Sequence, residues 1–231
     1  MNLYLLRDKT SDHFGKTFSS LSSGGKSSNL PVKWSVEEYN ISDISGLSHH
    51  LILWEDLSFA NCLILGDISQ QGRQHLKTTG FINRRHNSLE RSTNHIIDRA
   101  QHVLFLDIEY DDFNDHLDAT TRIERFINLL PREFRDASYH AQLSASFGIK
   151  EGLRVHLFFW SQRAVSVRAF KEYIKAHSKG LVDHLPLTAS NGIIISRPRF
   201  IGCEDPYPQR SIYTEKYRSS VRLPKAVFES F

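Results

Sequence analysis

The stretch VLFLDIEYDDF, residues 103–113, constrains the fold of this 231-residue chain more than any other. Val103, Leu104, Phe105 and Leu106 form an apolar run, and four acids follow within six residues: Asp107, Glu109, Asp111 and Asp112. The run reads as a buried strand. Side chains alternate along a strand, so Asp107 and Glu109 point the same way, roughly 7 Å apart. Asp111 and Asp112 suit the turn that ends it. Like charges on one face repel, and more so when partly buried. A divalent cation would remove the conflict, and hard oxygen ligands suit Mg²⁺ or Mn²⁺. A solvated strand end is the plainer reading of the D-x-E taken alone.

Around this strand the pattern predicts an α+β chain with a mixed or antiparallel sheet flanked by helices. HLILWED and NCLILGD read as two short buried strands. DATTRIERFINLLP places Ile123, Phe126, Ile127 and Leu130 at helical spacing, with Thr120 or Thr121 near its start and Pro131 as a stop. AQLSASF and LRVHLFFW read as a hairpin closed around Gly148 and Gly152. SVRAFKEYIKAHSKG carries Phe170, Tyr173, Ile174 and His177 on one helical face, between a Ser166 cap and Gly180. GIIISRPRFIG reads as a last strong strand. The N-terminal third is the least regular part, and its Ser/Gly-rich segment 19–29 reads as a mobile loop. Gly25-Lys26-Ser27 matches the tail of a phosphate-binding loop, but Ser20 stands where that pattern needs its first glycine and no apolar strand feeds it.

Two further constellations carry polar chemistry. In LRVHLFFW, Arg154 and His156 share one strand face and together suit a phosphate group, Arg as a forked donor and His as a donor whose charge varies near neutrality. In LVDHLPLTASNGIIISRPRFIGCEDPYPQR, Asp183 follows an apolar pair, Arg197 and Arg199 flank Pro198, and Arg210 follows DPYP. Singly, each is an ordinary loop residue. A net charge of +3 permits a polyanionic partner without demanding one. Two cysteines far apart, no signal-peptide core and no apolar run near the roughly 20 residues of a spanning helix predict a soluble, cytoplasmic protein without membrane contact.

Taken together, the pieces resemble the archaeo-eukaryotic primase superfamily, most closely the primase-polymerases of phages, plasmids and integrative elements. D-x-E at Asp107 and Glu109, RVH ending at His156, and VDHLPLT…IISRPRFIG…DPYPQR are the matching motifs, over roughly residues 75–215. His184 stands where the family often has proline, and Arg154 where it has a small residue. The resemblance implies a primase-polymerase (RRM-like) catalytic core at 71–231, with 1–70 as an unassigned N-terminal part of one compact domain. It implies that Asp107, Glu109 and Asp183 are catalytic and hold two Mg²⁺ or Mn²⁺ ions. His156 and Arg154, with Arg197, Arg199 and Arg210, would bind the incoming (d)NTP. Arg84 and Arg85, in the basic stretch NRRHNSLERS, would contact a single-stranded DNA template. A replicative helicase or C-terminal accessory domain is the implied further partner.

Two other readings stay open. FLDIEYDDF also resembles the first motif of DEDD-type 3′–5′ exonucleases, but five residues separate His177 from Asp183, where that family has four. A non-catalytic single-stranded nucleic-acid-binding domain is the other.

Overall fold

The computed structural model describes residues 1–8, 15–22, 25–27, 33–55, 60–83, 95–112 and 117–229. The chain opens with β1 (Asn2–Asp8), β2 (Lys16–Phe18), β3 (Lys26–Ser27) and β4 (Lys33–Asn40), then α1 (Ile44–Glu55). There follow β5 (Ala60–Ile64), β6 (Asp67–Ile68), α2 (Gln70–Thr79), β7 (Ile82–Asn83) and β8 (Ile96–Ile97). The second half holds β9 (Gln101–Tyr110), α3 (Ala119–Ile127), α4 (Arg132–Arg135), β10 (Tyr139–Leu143), β11 (Leu153–Val165) and α5 (Val167–His177). It ends with β12 (Gly192–Ile194), β13 (Arg199–Phe200), β14 (Ser211–Thr214) and α6 (Ala226–Glu229).

The fold is α+β, with antiparallel sheets flanked by helices. One sheet runs β12-β5-β1-β4-β7 and another β14-β10-β11-β9. Both are antiparallel throughout, whereas the small sheet β13-β2-β3 contains a parallel pair, β13 with β2. β1 is apolar on both faces. Leu3 and Leu5 join the main core with Leu104 and Phe159, while Tyr4 and Leu6 pack with Trp34 and Ile64 in a second cluster. Sheets covered on both sides need such continuous apolar runs.

Four expectations need correction. Residues 50–55 of HLILWED are not a strand but the last part of α1, whose buried Ile44, Leu47, Leu51 and Trp54 recur at helical spacing. Asp43 opens that helix, its Oδ1 accepting from the Gly46 N–H at 2.8 Å. The described residues of the N-terminal third are more regular than expected, because β1, β4 and β5 make the centre of a sheet. Within the segment read as a mobile loop, Lys26–Ser27 pair with β2. GIIISRPRFIG breaks into β12 and β13, which belong to different sheets. Pro198 lies between them, and a proline lacks the N–H a continuing ladder needs.

The two predicted helices are present as α3 and α5. Asp118 caps α3, accepting from the Thr121 N–H at 2.9 Å, with Thr120 and Thr121 near the helix start as expected. Ser166 caps α5 as expected. His177 departs from the apolar face: it is exposed, stacked on Tyr173, with Nδ1 2.8 Å from the Tyr173 carbonyl. The β10–β11 hairpin forms, and Gly152 sets where β11 begins. Its φ is +80°, and a Cβ there would lie 2.3 Å from the Tyr110 carbonyl oxygen, so only glycine lets the end of β9 pass so close.

Candidate active site

β9 and β11 are neighbours whose register sets Asp107 opposite His156 and Arg154 opposite Glu109. On the outer side of β9 a single backbone bridge adds Asp183, its N–H donating to the Asp107 carbonyl at 3.1 Å. On the other side Gln142 of β10 stands opposite His156, and Ser211 of β14 opposite Gln142. Directly opposed residues in antiparallel strands share a face. Asp183, Asp107, His156, Gln142 and Ser211 therefore form one polar row across the sheet. The acid far away in sequence, Asp183, arrives by this bridge.

Asp107, His156 and Gln142 of this row line a cavity of about 200 Å³, whereas Asp183 and Ser211, at its two ends, are not among the lining residues. Asp107, Glu109, His156 and Gln142 line one side, and Lys16, Arg197 and Arg210 also face it. The Asp107 carboxylate is one-quarter exposed (26%), and its Oδ1 lies 3.6 Å from His156 Nε2. Burial pushes the Asp107 carboxyl above the ordinary carboxylate range; Asp183 and Glu109 push the same way, while His156 and Lys16 oppose them. Burial likewise pushes His156 below its ordinary value despite the Asp107 charge beside it, so the imidazole is neutral at pH 7. His156 Nδ1 is buried without a hydrogen-bond partner, and so is Gln142 Oε1.

Among the described residues, no three His, Cys, Asp or Glu side chains converge into a ready-made metal cage. The donor set still suits a hard divalent cation. Asp107, Glu109 and Asp183 lie on neighbouring chain segments, and the charges of Asp183 and Glu109 add to the burial that holds the Asp107 carboxyl up. One Asp183 oxygen, Oδ1, accepts from the Leu185 N–H at 2.9 Å.

The expected phosphate binders divide. Arg197 lines the cavity, its Nε 3.3 Å from Glu55 Oε1. Arg210 also lines it, but its 1%-exposed side chain grips Asp205 through Nε and Nη2 and the Ser144 carbonyl through Nη1. DPYPQR thus closes on itself and shapes the 144–146 loop of the cavity wall. Arg154 is not among the cavity-lining residues; its buried guanidinium donates to Asp111. Arg199 lies on β13, paired opposite Thr17, and also does not line the cavity. Arg84 and Arg85 lie outside the described residues. Sequence reasoning missed Lys16, Glu55 and Gln142. Gln142 lies in the strand pattern of AQLSASF, whereas Lys16 and Glu55 reach the site only through tertiary pairing.

No protein-family model matches the chain, and no curated protein matches it in sequence. Among solved structures it is similar to the AEP domain of the cyanophage S-2L primase-polymerase (PrimPol). The identity is 11%, over 99% of this chain and 87% of that one, with a TM-score of 0.39. That is a distant likeness, and the functional reading rests on the residues of the cavity. No helix among the described residues is long and apolar enough to cross a membrane.

Proposed function

We propose that this chain is a metal-dependent nucleotidyltransferase, a primase-polymerase that makes or extends strands on a single-stranded DNA template during replication of a mobile element. One observation carries the reading: Asp183 is bridged to Asp107 in the same polar row as His156, beside a cavity that Arg197 and Lys16 also line. Acids and cations around one cavity suit a metal-chelated triphosphate, which needs both.

Asp107, Glu109 and Asp183 would hold Mg²⁺ or Mn²⁺. When bound, the ions supply charge neutralisation of the triphosphate and acidify the attacking hydroxyl. The side chains do the rest by positioning. His156, neutral, offers an N–H to a phosphate oxygen. Arg197 and Lys16 balance the phosphate charge. The substrates would be (d)NTPs and a primed or bare single strand, with a replicative helicase or accessory domain as partner.

The deciding experiment is incorporation of labelled nucleotide on a primed single-stranded template with Mg²⁺ or Mn²⁺. Elongation that requires the metal and is lost in Asp107→Ala supports the reading. No incorporation on any template, with single-stranded DNA still bound, would install the non-catalytic binding domain.

A further inference from the structure

Glu55 is a residue whose place in the fold is unfavourable on two counts. It is the last residue of α1, where the negative end of the helix dipole repels a carboxylate. Its side chain is also 1% exposed, and burying a carboxylate is costly unless it is paired. The pairing is specific. Oε1 takes the Arg197 Nε at 3.3 Å, and Oε2 accepts from the Ser211 hydroxyl, the far end of the polar row. The backbone beside Arg197 is anchored to the same helix end. Asn61 Nδ2 donates to the Trp54 carbonyl at 3.0 Å, the Asn61 carbonyl accepts from the Ile195 N–H at 3.3 Å, and the Asn61 N–H donates to Ser196 Oγ at 2.8 Å. Main chain and side chain of the Arg197 segment are thus both tied to the end of α1.

Arg197 itself is 44% exposed, so water could solvate its charge without Glu55. The pair therefore is not there to keep a cation from being stranded. Its effect is geometric: a guanidinium held along its Nε edge has lost the freedom to swing, and Arg197 and Glu55 line the same cavity.

We propose that Glu55 is a positioning residue, which aims Arg197 at the phosphates of a triphosphate bound in this cavity, with Ser211 aiming Glu55. This rests on the nucleotidyltransferase reading and gives the N-terminal segment a part in the site.

The test is calorimetric titration of the full chain with inorganic tripolyphosphate and, separately, with dATP, both without metal, plus steady-state extension with metal. Glu55→Gln keeps the size and removes the charge. If Glu55 positions Arg197, affinity for tripolyphosphate falls about tenfold, the value of one charge-assisted hydrogen bond. KM for the nucleotide rises in step while kcat changes less. The melting temperature stays level or rises, because a buried charge at a helix C-terminus is gone. Combining Glu55→Gln with Arg197→Ala should then add nothing to Arg197→Ala alone. Tighter tripolyphosphate binding in Glu55→Gln would make Glu55 a mere electrostatic brake and overturn the proposal. Unchanged binding with a lowered melting temperature would make it a structural ion pair and overturn it too. Should Glu55→Gln fail to fold, Ser211→Ala tests the same link, with weaker binding expected and unchanged binding overturning it. A wild-type protein that shows the Glu55 effect on tripolyphosphate but extends no strand would sink the polymerase reading and leave this inference standing. One that extends strands with Glu55→Gln indistinguishable would do the reverse.

Discussion

His156 and Asp107 face each other across β9 and β11 with Nε2 3.6 Å from Oδ1, and burial pushes each toward its uncharged form. A salt bridge shifts its partners the other way, toward charge. Asp107 and His156 do pull each other in that direction, and burial outweighs the pull in both.

Replacing Asp107 by Asn is expected to abolish nucleotide incorporation, by more than about a hundredfold, because the proposed metal would lose a ligand. The melting temperature should hold or rise, since a half-buried charge beside Asp183 and Glu109 is removed. Incorporation assays paired with thermal melts check both halves. Near-normal synthesis would move the metal site elsewhere.

Removing the imidazole in His156→Ala should raise the nucleotide KM about tenfold, the value of one well-placed hydrogen bond in a cavity. Metal affinity, read by Mn²⁺ titration, should change little. Loss of Mn²⁺ binding instead would put His156 among the metal ligands.

Acid should weaken the fold before most carboxylates titrate. His140 is fully buried, bonded to Ser48 Oγ at 2.9 Å, and burial pushes its pKa down to about 3. In the unfolded chain it titrates near 6.5. Below that pH the unfolded state takes up a proton the fold refuses, so this stability is complete above pH 6.5 and is lost as pH falls toward 3. His156, also lowered, acts the same way, and Asp107, raised, opposes them. Urea midpoints at pH 7.5 and 5 should fall in the wild type and fall less in His140→Gln. Equal slopes would place the acid sensitivity elsewhere.

His177→Ala should leave strand synthesis intact, and the wild type should not trim 3′ ends when nucleotides are absent. The residue lies at the end of α5, bonded to its own helix, and does not line the cavity. Processive 3′ shortening that vanishes in this variant would establish the exonuclease instead.

The parts legible in sequence were those where local pattern and final environment agree. β9 and β11 are apolar wherever they face the core, so both stood out, and their alternation already set Asp107 with Glu109 and Arg154 with His156. The α1 helix hid its period because Ile52 and Leu53 on its exposed side fill the gaps between Leu51 and Trp54. β1 passed unnoticed because strands apolar on both faces show no alternation. The site divides in the same way. Local spacing exposed the D-x-E, but the meeting of Glu55 with Arg197 spans 142 residues and has no local signature. Arg210 entered as a nucleotide binder through the resemblance alone, and its closure on Asp205, five residues away, shows only in the fold.

The polar row across β9, β11, β10 and β14 also makes the site an audit of strand alignment. Asp107 and Glu109 share β9 with Leu106 and Ile108, which are fully buried on the opposite face. Sliding β9 by one position against β11 would exchange these sets, driving two carboxylates into the hydrocarbon interior and setting aliphatic side chains in the cavity. A misaligned sheet would thus be unstable for the same reason that it would be inactive. Molecules that pass the thermodynamic test of folding arrive with their acids already on the correct side.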